Sequence, residues 1–161
     1  MYYDFLNSEF GCLYLESSIK GIKAIKLIDA VDVHTPRPNH FTDQAKEELQ
    51  AYFEGKLQAF TVPIDFSEGT PFQQAVWNEL LKIPYGHTTS YLNIANQINN
   101  PKAVRAVGLA NGQNPIPLML PCHRVIGSNG SLVGYALGIE MKKKLLCLEN
   151  PRSYGRQQEL F

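Results

Sequence analysis

Short segments rich in Leu, Ile and Tyr open the chain, and helical spacing takes over later. Gly11 to Glu16 and Gly21 to Ile28 read as strands. Phe41 to Phe53 places Ala45, Leu49, Tyr52 and Phe53 at helical spacing, with Thr42 or Asp43 as cap and Gly55 past the end. Phe60 to Ile64 reads as a further strand. These elements predict a small α/β domain over residues 1–68, with the boundary between Phe66 and Pro71.

The remainder predicts a mainly helical second domain over 69–150 and a tail over 151–161. Thr70-Pro71-Phe72-Gln73 is a capping box with Pro at the first helical position. Its helix turns Val76, Leu80 and Leu81 inward and stops before Pro84. Ser90 caps a second helix, Tyr91 to Ile98. Asn100-Pro101 caps a third, which runs to about Asn111 and ends at Gly112. Two short helices joined by a brief turn form a helix-turn-helix candidate. Prolines between Gln113 and Pro121 exclude helix, and Leu118 to Leu120 is short, apolar and expected to be buried. Gly127 to Gly134 is a turn-rich loop. Glu140 to Glu149 is a last helix, with Met141, Leu145 and Leu148 on one face.

Composition changes this picture in one respect. The 161 residues are 44% hydrophobic and 19% charged, so they can bury a core. Lys and Arg number 15, as do Asp and Glu. An even spread would argue against a phosphate-rich partner. The spread is uneven. Residues 1–68 carry 6 basic and 11 acidic side chains, a net of −5; residues 69–161 carry 9 and 4, a net of +5. No acidic residue lies between Leu80 and Gly138. A carboxylate-free block suits a polyanion-facing surface, or else a polar uncharged interface. Three unpaired cysteines, no basic N-terminal leader and no apolar run of about 18 residues predict a reduced, cytoplasmic protein that does not span a membrane. Cys12, His34 and His40 fit no zinc spacing, and no metal is expected.

Two segments carry candidate chemistry. The third helix, Lys102 to Ala110, is thin because Ala103, Ala106 and Gly108 are small, and Arg105 is the long cation in its middle. A thin helix can approach another surface closely or pack tightly in a core; Val104, Val107 and Leu109 suit the second use. Cys122 follows a rigid apolar leader and precedes His123 and Arg124. A thiol attacks as thiolate, which a His partner or nearby cations favour. On an extended chain, neighbouring side chains point opposite ways, so His123 would reach Cys122 through water. A structural cysteine beside a chance histidine is the alternative.

Pro121-Cys122-His123-Arg124-Val125 resembles the active-site motif of the O6-alkylguanine-DNA alkyltransferases, the methylated-DNA–protein-cysteine methyltransferases. The resemblance extends through Thr70-Pro71-Phe72-Gln73, Ile83-Pro84-Tyr85-Gly86, Ser90-Tyr91, Asn100-Pro101-Lys102-Ala103-Val104-Arg105-Ala106-Val107-Gly108, Asn111-Gly112, Asn114-Pro115 and Gly134-Tyr135-Ala136. It implies a ribonuclease H-like N-terminal α/β domain and a winged-helix-like C-terminal domain. It also implies irreversible transfer of a methyl group from O6-methylguanine, and O4-methylthymine, to Cys122, once per molecule and without a cofactor. His123 would be the base through a bound water, oriented by Glu149. Tyr91 would donate to guanine N3. The helix-turn-helix would enter the minor groove of double-stranded DNA through Ser90, Ala103, Ala106 and Asn111, with Arg105 replacing the flipped base. Asn114 would brace the following turn. Tyr135, Val125, Ala136, Leu137 and Arg124 would line the base pocket. A monomer is expected.

Three departures and two rivals accompany the resemblance. Leu137 stands where the family commonly has Gly, which would narrow the alkyl pocket. Gln113 stands where Arg is common, which would remove a phosphate contact. The tail residues Gln157, Leu160 and Phe161 resemble the short peptide that docks on bacterial sliding clamps, or else pack on their own domain. Cys147 reads as a packed apolar residue. A non-catalytic sensor of alkylated DNA and a Cys-His hydrolase are the competing functions.

Overall fold

The computed structural model describes residues 1–29, 32–130, 132 and 135–154. The chain forms two compact units, Met1–Phe66 and Ser67–Phe161.

The first unit is an antiparallel meander with one helix. Strands β1 (Tyr2–Ser8), β2 (Gly11–Ser17) and β3 (Ile22–Ile28) pair in that order. Leu13, Leu15, Ile22 and Ile25 turn inward against Ala45, Leu49 and Tyr52 of helix α1 (His40–Phe53). β1 lacks a sequence signal because its inward face carries Asp4, whose carboxylate takes Lys46 of α1 at 3.2 Å. The cap of α1 is Asn39, not Thr42 or Asp43. Asn39 Oδ1 accepts from Thr42 N at 3.0 Å, and Thr42 Oγ1 accepts from Asn39 N at 2.9 Å. Phe60 to Ile64 is not a strand. Only Ile64 bridges Ile22, while Glu48 accepts from the amides of Thr61 and Val62 at 2.8 and 3.1 Å. A carboxylate has taken the donors that a strand neighbour would use, and Pro63 supplies none.

The second unit is mainly helical. Helix α2 (Pro71–Leu80) carries the Thr70/Gln73 capping box, with Gln73 N donating to Thr70 Oγ1 at 3.1 Å. Leu81 caps its C-terminus and is exposed, contrary to the inward placement expected. Trp77 is buried and its Nε1 donates to Ala110 O at 2.9 Å. A Cβ on Gly69 would lie 2.3 Å from that ring, so the close approach requires glycine. The short strand β4 (Thr89–Ser90) leads into helix α3 (Tyr91–Gln97), capped by Ser90 Oγ on Asn93 N at 3.0 Å. Helix α4 (Val104–Gly112) begins two residues later than expected. Asn100 O accepts from Ala103 N at 3.0 Å, so Asn100-Pro101 forms the turn before the helix and not its cap.

Strand β5 (Val125–Ile126) runs parallel to β4. Helix α5 (Ile139–Glu149) buries Met141, Lys142, Leu145, Leu146 and Glu149. Leu148 is only half-buried, because Leu145, Leu146 and Glu149 hold the inward arc. Residues 151–154, expected as tail, are helical, and Tyr154 Oη lies 3.1 Å from Thr88 Oγ1. Gln157, Leu160 and Phe161 lie outside the described residues. Among the described residues no helix is long and apolar enough to cross a membrane.

Candidate active site and nucleic-acid interface

Cys122 sits where the apolar leader ends in a tight turn. Leu118 adopts φ 78°, and Leu118 and Leu120 are fully packed. Asn114 fixes this segment from within: Nδ2 donates to Leu120 O at 2.8 Å and Oδ1 accepts from Ile116 N at 2.8 Å. Cys122–Arg124 is one turn of 3₁₀-helix, not extended chain, and Cys122 N donates to Leu120 O at 2.7 Å. The thiol-bearing residue is 1% exposed. Burial pushes the Cys122 thiol up to about 11, opposed only in part by an Asn114 hydrogen bond and the Lys142 charge. The resting sulfur is therefore protonated at neutral pH, and its reaction as a nucleophile calls for a base.

His123 is fully buried beside it. Its Nε2 and Glu149 Oε2 are 2.7 Å apart. Burial holds the imidazole below its ordinary value, with Arg124 and Lys142 adding to the effect against the pull of Glu149. The ring is thus neutral. A carboxylate can only accept, so the ring proton sits on Nε2 and Nδ1 carries the lone pair. Nδ1 has no hydrogen-bond partner among the described residues. Glu149 fixes the tautomer that leaves a basic nitrogen one residue from the thiol.

Glu149 is shared. Arg124 donates from Nε to Oε1 at 2.8 Å and from Nη2 to Oε2 at 3.0 Å. Its Nη1 donates to Ile83 O at 2.7 Å, and its guanidinium lies over the Tyr85 ring, 5.7 Å from the centroid. Burial resists ionisation of Glu149, but the hydrogen bonds from His123 and Arg124 and the Arg124 charge overcome it, holding the carboxyl at about 2. Arg124 is committed to this carboxylate. The resemblance put Arg124 in a base pocket; the structure places it in this buried cluster, with three of its five N–H groups spent on Glu149 and Ile83 O.

Lys142 had no role in the sequence reading. It is fully buried on α5, and its Nζ donates to Val125 O at 2.6 Å. Burial lowers the amine to about 8, with Cys122 acting in the opposite sense. The signal was available: Lys142 lies three residues before Leu145 and seven before Glu149, on the inward face of one helix. The run Lys142-Lys143-Lys144 hid it as a solvated stretch.

Helix α4 separates two faces. Val107, Ala110 and Asn111 are buried, while Lys102 before the helix and Arg105, Ala106, Leu109 and Gly112 along it form an exposed stripe. One face of the thin helix packs in the core and the other is open, and Leu109 stands on the open face, not in the core. Ala103 is half-buried at the N-cap. Asn111, expected at a DNA surface, is buried, and its Nδ2 donates to Cys122 O at 3.4 Å; it braces the active-site turn together with Asn114, which is buried in the bracing position expected of it. Ser90 spends its hydroxyl oxygen on the α3 cap. Tyr91 is half-buried; burial raises its phenol, with Cys122 adding to the rise and an Asn111 hydrogen bond opposing it, so the phenol is a proton donor at neutral pH. Tyr135 meets His123 edge to face at 6.2 Å. Val125 is buried, Ala136 exposed and Leu137 half-buried.

Comparison with known proteins gives this arrangement its relatives. Residues 71–151 match the DNA binding domain model of 6-O-methylguanine DNA methyltransferase, and residues 1–66 match its ribonuclease-like domain model. A methylated-DNA–protein-cysteine methyltransferase of Methanosarcina acetivorans is 46% identical over 155 residues, covering 92% of this chain and 98% of its own. The structure of the Mycobacterium tuberculosis O6-methylguanine methyltransferase superposes with a TM-score of 0.82 at 44% identity, covering 94% of this chain and 93% of that one. A Mycobacterium tuberculosis OGT solved in complex with DNA superposes with a TM-score of 0.85 at the same identity, covering 94% of both. With both domain models matched in order along one chain, this protein belongs to the 6-O-methylguanine DNA methyltransferase family.

Proposed function

We propose that this protein repairs DNA by taking the methyl group of O6-methylguanine, or of O4-methylthymine, onto Cys122, once per molecule. The observation that carries this reading is the Glu149–His123 hydrogen bond, which leaves the Nδ1 lone pair of a buried neutral imidazole beside a protonated thiol. A water between them passes the thiol proton to Nδ1. Sγ attacks the methyl carbon, the carbon–O6 bond breaks, and its electron pair stays on the base. Tyr91 donates to guanine N3, which makes the departing base less basic. The base leaves as an anion and takes up a proton at N1 by way of water, which gives restored guanine beside S-methylcysteine. A thioether has no good leaving group, so the protein is a reagent consumed by its own reaction.

The base must leave the duplex stack before O6 is within reach, at a cost of a few kcal/mol. The exposed stripe of α4 is narrow at Ala106 and Gly112, which suits a minor groove ~6 Å wide. Arg105 would fill the space left by the flipped base. Tyr135, Ala136 and Leu137 would border the pocket that receives it. Lys142 would hold Val125 and lend positive charge to the forming thiolate.

The test is incubation with duplex DNA carrying O6-methylguanine, followed by intact and peptide mass analysis. One methyl on the Cys122 peptide is expected, with restored guanine in the DNA. Bound but unmodified protein would favour the sensor, and multiple turnovers with released product would favour the hydrolase. Leu137 adds a second expectation. Leu137→Gly should be inactivated by O6-benzylguanine at least ~10-fold faster than the wild type, because a half-buried side chain narrows the site for a bulky alkyl group. Equal inactivation rates would remove Leu137 as the size filter.

A further inference from the structure

We propose that Arg124 is a positioning residue that sets the protonation state of His123 by gripping both oxygens of Glu149 and anchoring them to the α2–α3 connection. The proposal rests on the methyl-transfer reading for its consequence in rate, and on geometry alone for its consequence in titration.

A carboxylate beside a histidine normally stabilises the imidazolium. A protonated His123 has no lone pair on Nδ1 and accepts no proton from Cys122. Glu149 must therefore hold the ring in place without charging it. Burial is the larger cause that keeps the ring uncharged, and Arg124 adds to it. Its Nε and Nη2 approach Oε1 and Oε2 at 2.8 and 3.0 Å, a fork that spans the whole carboxylate. The guanidinium charge offsets the carboxylate charge felt at the ring, while Oε2 still accepts from Nε2 at 2.7 Å. Nη1 reaches Ile83 O at 2.7 Å, so the fork has a fixed backbone footing, and Tyr85 lies beneath it. The other groups that bear on the pair are Lys142 from α5, Cys122 on the same turn and the Tyr135 ring. Lys142 adds a positive charge of the same sign as Arg124, and burial raises the Tyr85 phenol, so that ring is neutral in the range tested.

The geometry predicts a shift with a definite sign. Arg124→Gln removes the charge and keeps a hydrogen-bond donor. Glu149 remains ionised near neutral pH, its charge now falls undiluted on His123, and the imidazole holds its proton to higher pH. The His123 midpoint, read by NMR of the ring in the free protein, should rise by about one pH unit or more. The acid limb of the single-turnover methyl-transfer profile should rise with it. The rate should then fall roughly 10-fold at pH 7 and recover toward wild type as pH increases. A merely structural role would lower the rate equally at all pH values and leave both midpoints in place; that result overturns the proposal. If the wild type transfers no methyl but the His123 midpoint rises in Arg124→Gln, the functional reading fails and the role of Arg124 stands. Arg124→Lys keeps the charge but cannot span both oxygens. It should leave the His123 midpoint at its wild-type value; a midpoint that rises in Arg124→Lys as far as in Arg124→Gln overturns the role of the charge, and if Arg124→Gln does not fold, the neutral Arg124→Met is read in its place with the same expected rise.

Discussion

Cys122→Ala is expected to abolish methyl transfer while binding O6-methylguanine duplex within about twofold of wild type. In this reading the nucleophile is one atom, Sγ, while Lys142 Nζ is spent on Val125 O and Glu149 is held by His123 and Arg124. The remaining thiols, Cys12 and Cys147, lie elsewhere: Cys12 is buried in the first unit and Cys147 is half-buried on α5. The substitution removes little volume, and the turn is held by backbone bonds and by Asn111 and Asn114, so the fold should survive. The α4 stripe is untouched. Radiolabelled methyl on the DNA, followed by denaturing electrophoresis, gives the first half of the result, and fluorescence anisotropy the second. Label on the variant protein would place the acceptor elsewhere. Loss of binding together with transfer would mean that the thiol supports the interface, not only the chemistry.

Glu149→Gln carries the second large effect. Transfer should slow by about 10²–10³, within the roughly 10²–10⁴ that a positioned general base contributes, because His123 stays but loses its orientation. A neutral amide can present either end to Nε2, so the His123 tautomer is no longer fixed. Stability should fall by ~3–5 kcal/mol at pH 7, because the Arg124 guanidinium stays buried without its counter-charge. The acid response separates this from generic damage. Glu149 is held at about 2, below its ordinary 4.5. A depressed carboxyl stabilises the fold above the unfolded value and loses that contribution as pH falls toward the folded one. The wild type should therefore lose up to ~3 kcal/mol between about pH 5 and pH 2 from this group. The glutamine variant should lack that component. Urea midpoints at pH 7, 4.5 and 3 measure it, and equally steep acid loss in both proteins would contradict the assignment.

The sequence disclosed the elements whose ends are fixed by local chemistry. Thr70-Pro71 and Ser90 begin their helices where the side chains predict, because a capping hydroxyl and its amide are only three residues apart. Asn39 escaped because Thr42 and Asp43 are equally suitable caps three and four residues on, and only the fold decides among them. Strand β1 and the Phe60–Ile64 segment erred in opposite directions for one reason. Whether an extended segment joins a sheet depends on a partner that is distant in sequence. The site divides in the same way. Cys122 and His123 are legible as a contiguous pair, whereas the resemblance was needed to bring in Glu149 from 26 residues away. Arg124 and Lys142 are charged residues that look solvated until packing buries them. Their functions depend on burial, which no spacing displays.

The sealed position of Cys122 has a consequence for the lifetime of an unused molecule. A protein consumed by one reaction must stay unspent until it meets its lesion. Oxidants and soluble alkylating agents react with exposed thiolate. With the thiol held at about 11, only roughly one molecule in 10⁴ carries thiolate at pH 7, and with 1% exposure even that fraction is hard to reach. The same burial that makes the sulfur a poor nucleophile at rest gives the protein a long shelf life among competing electrophiles.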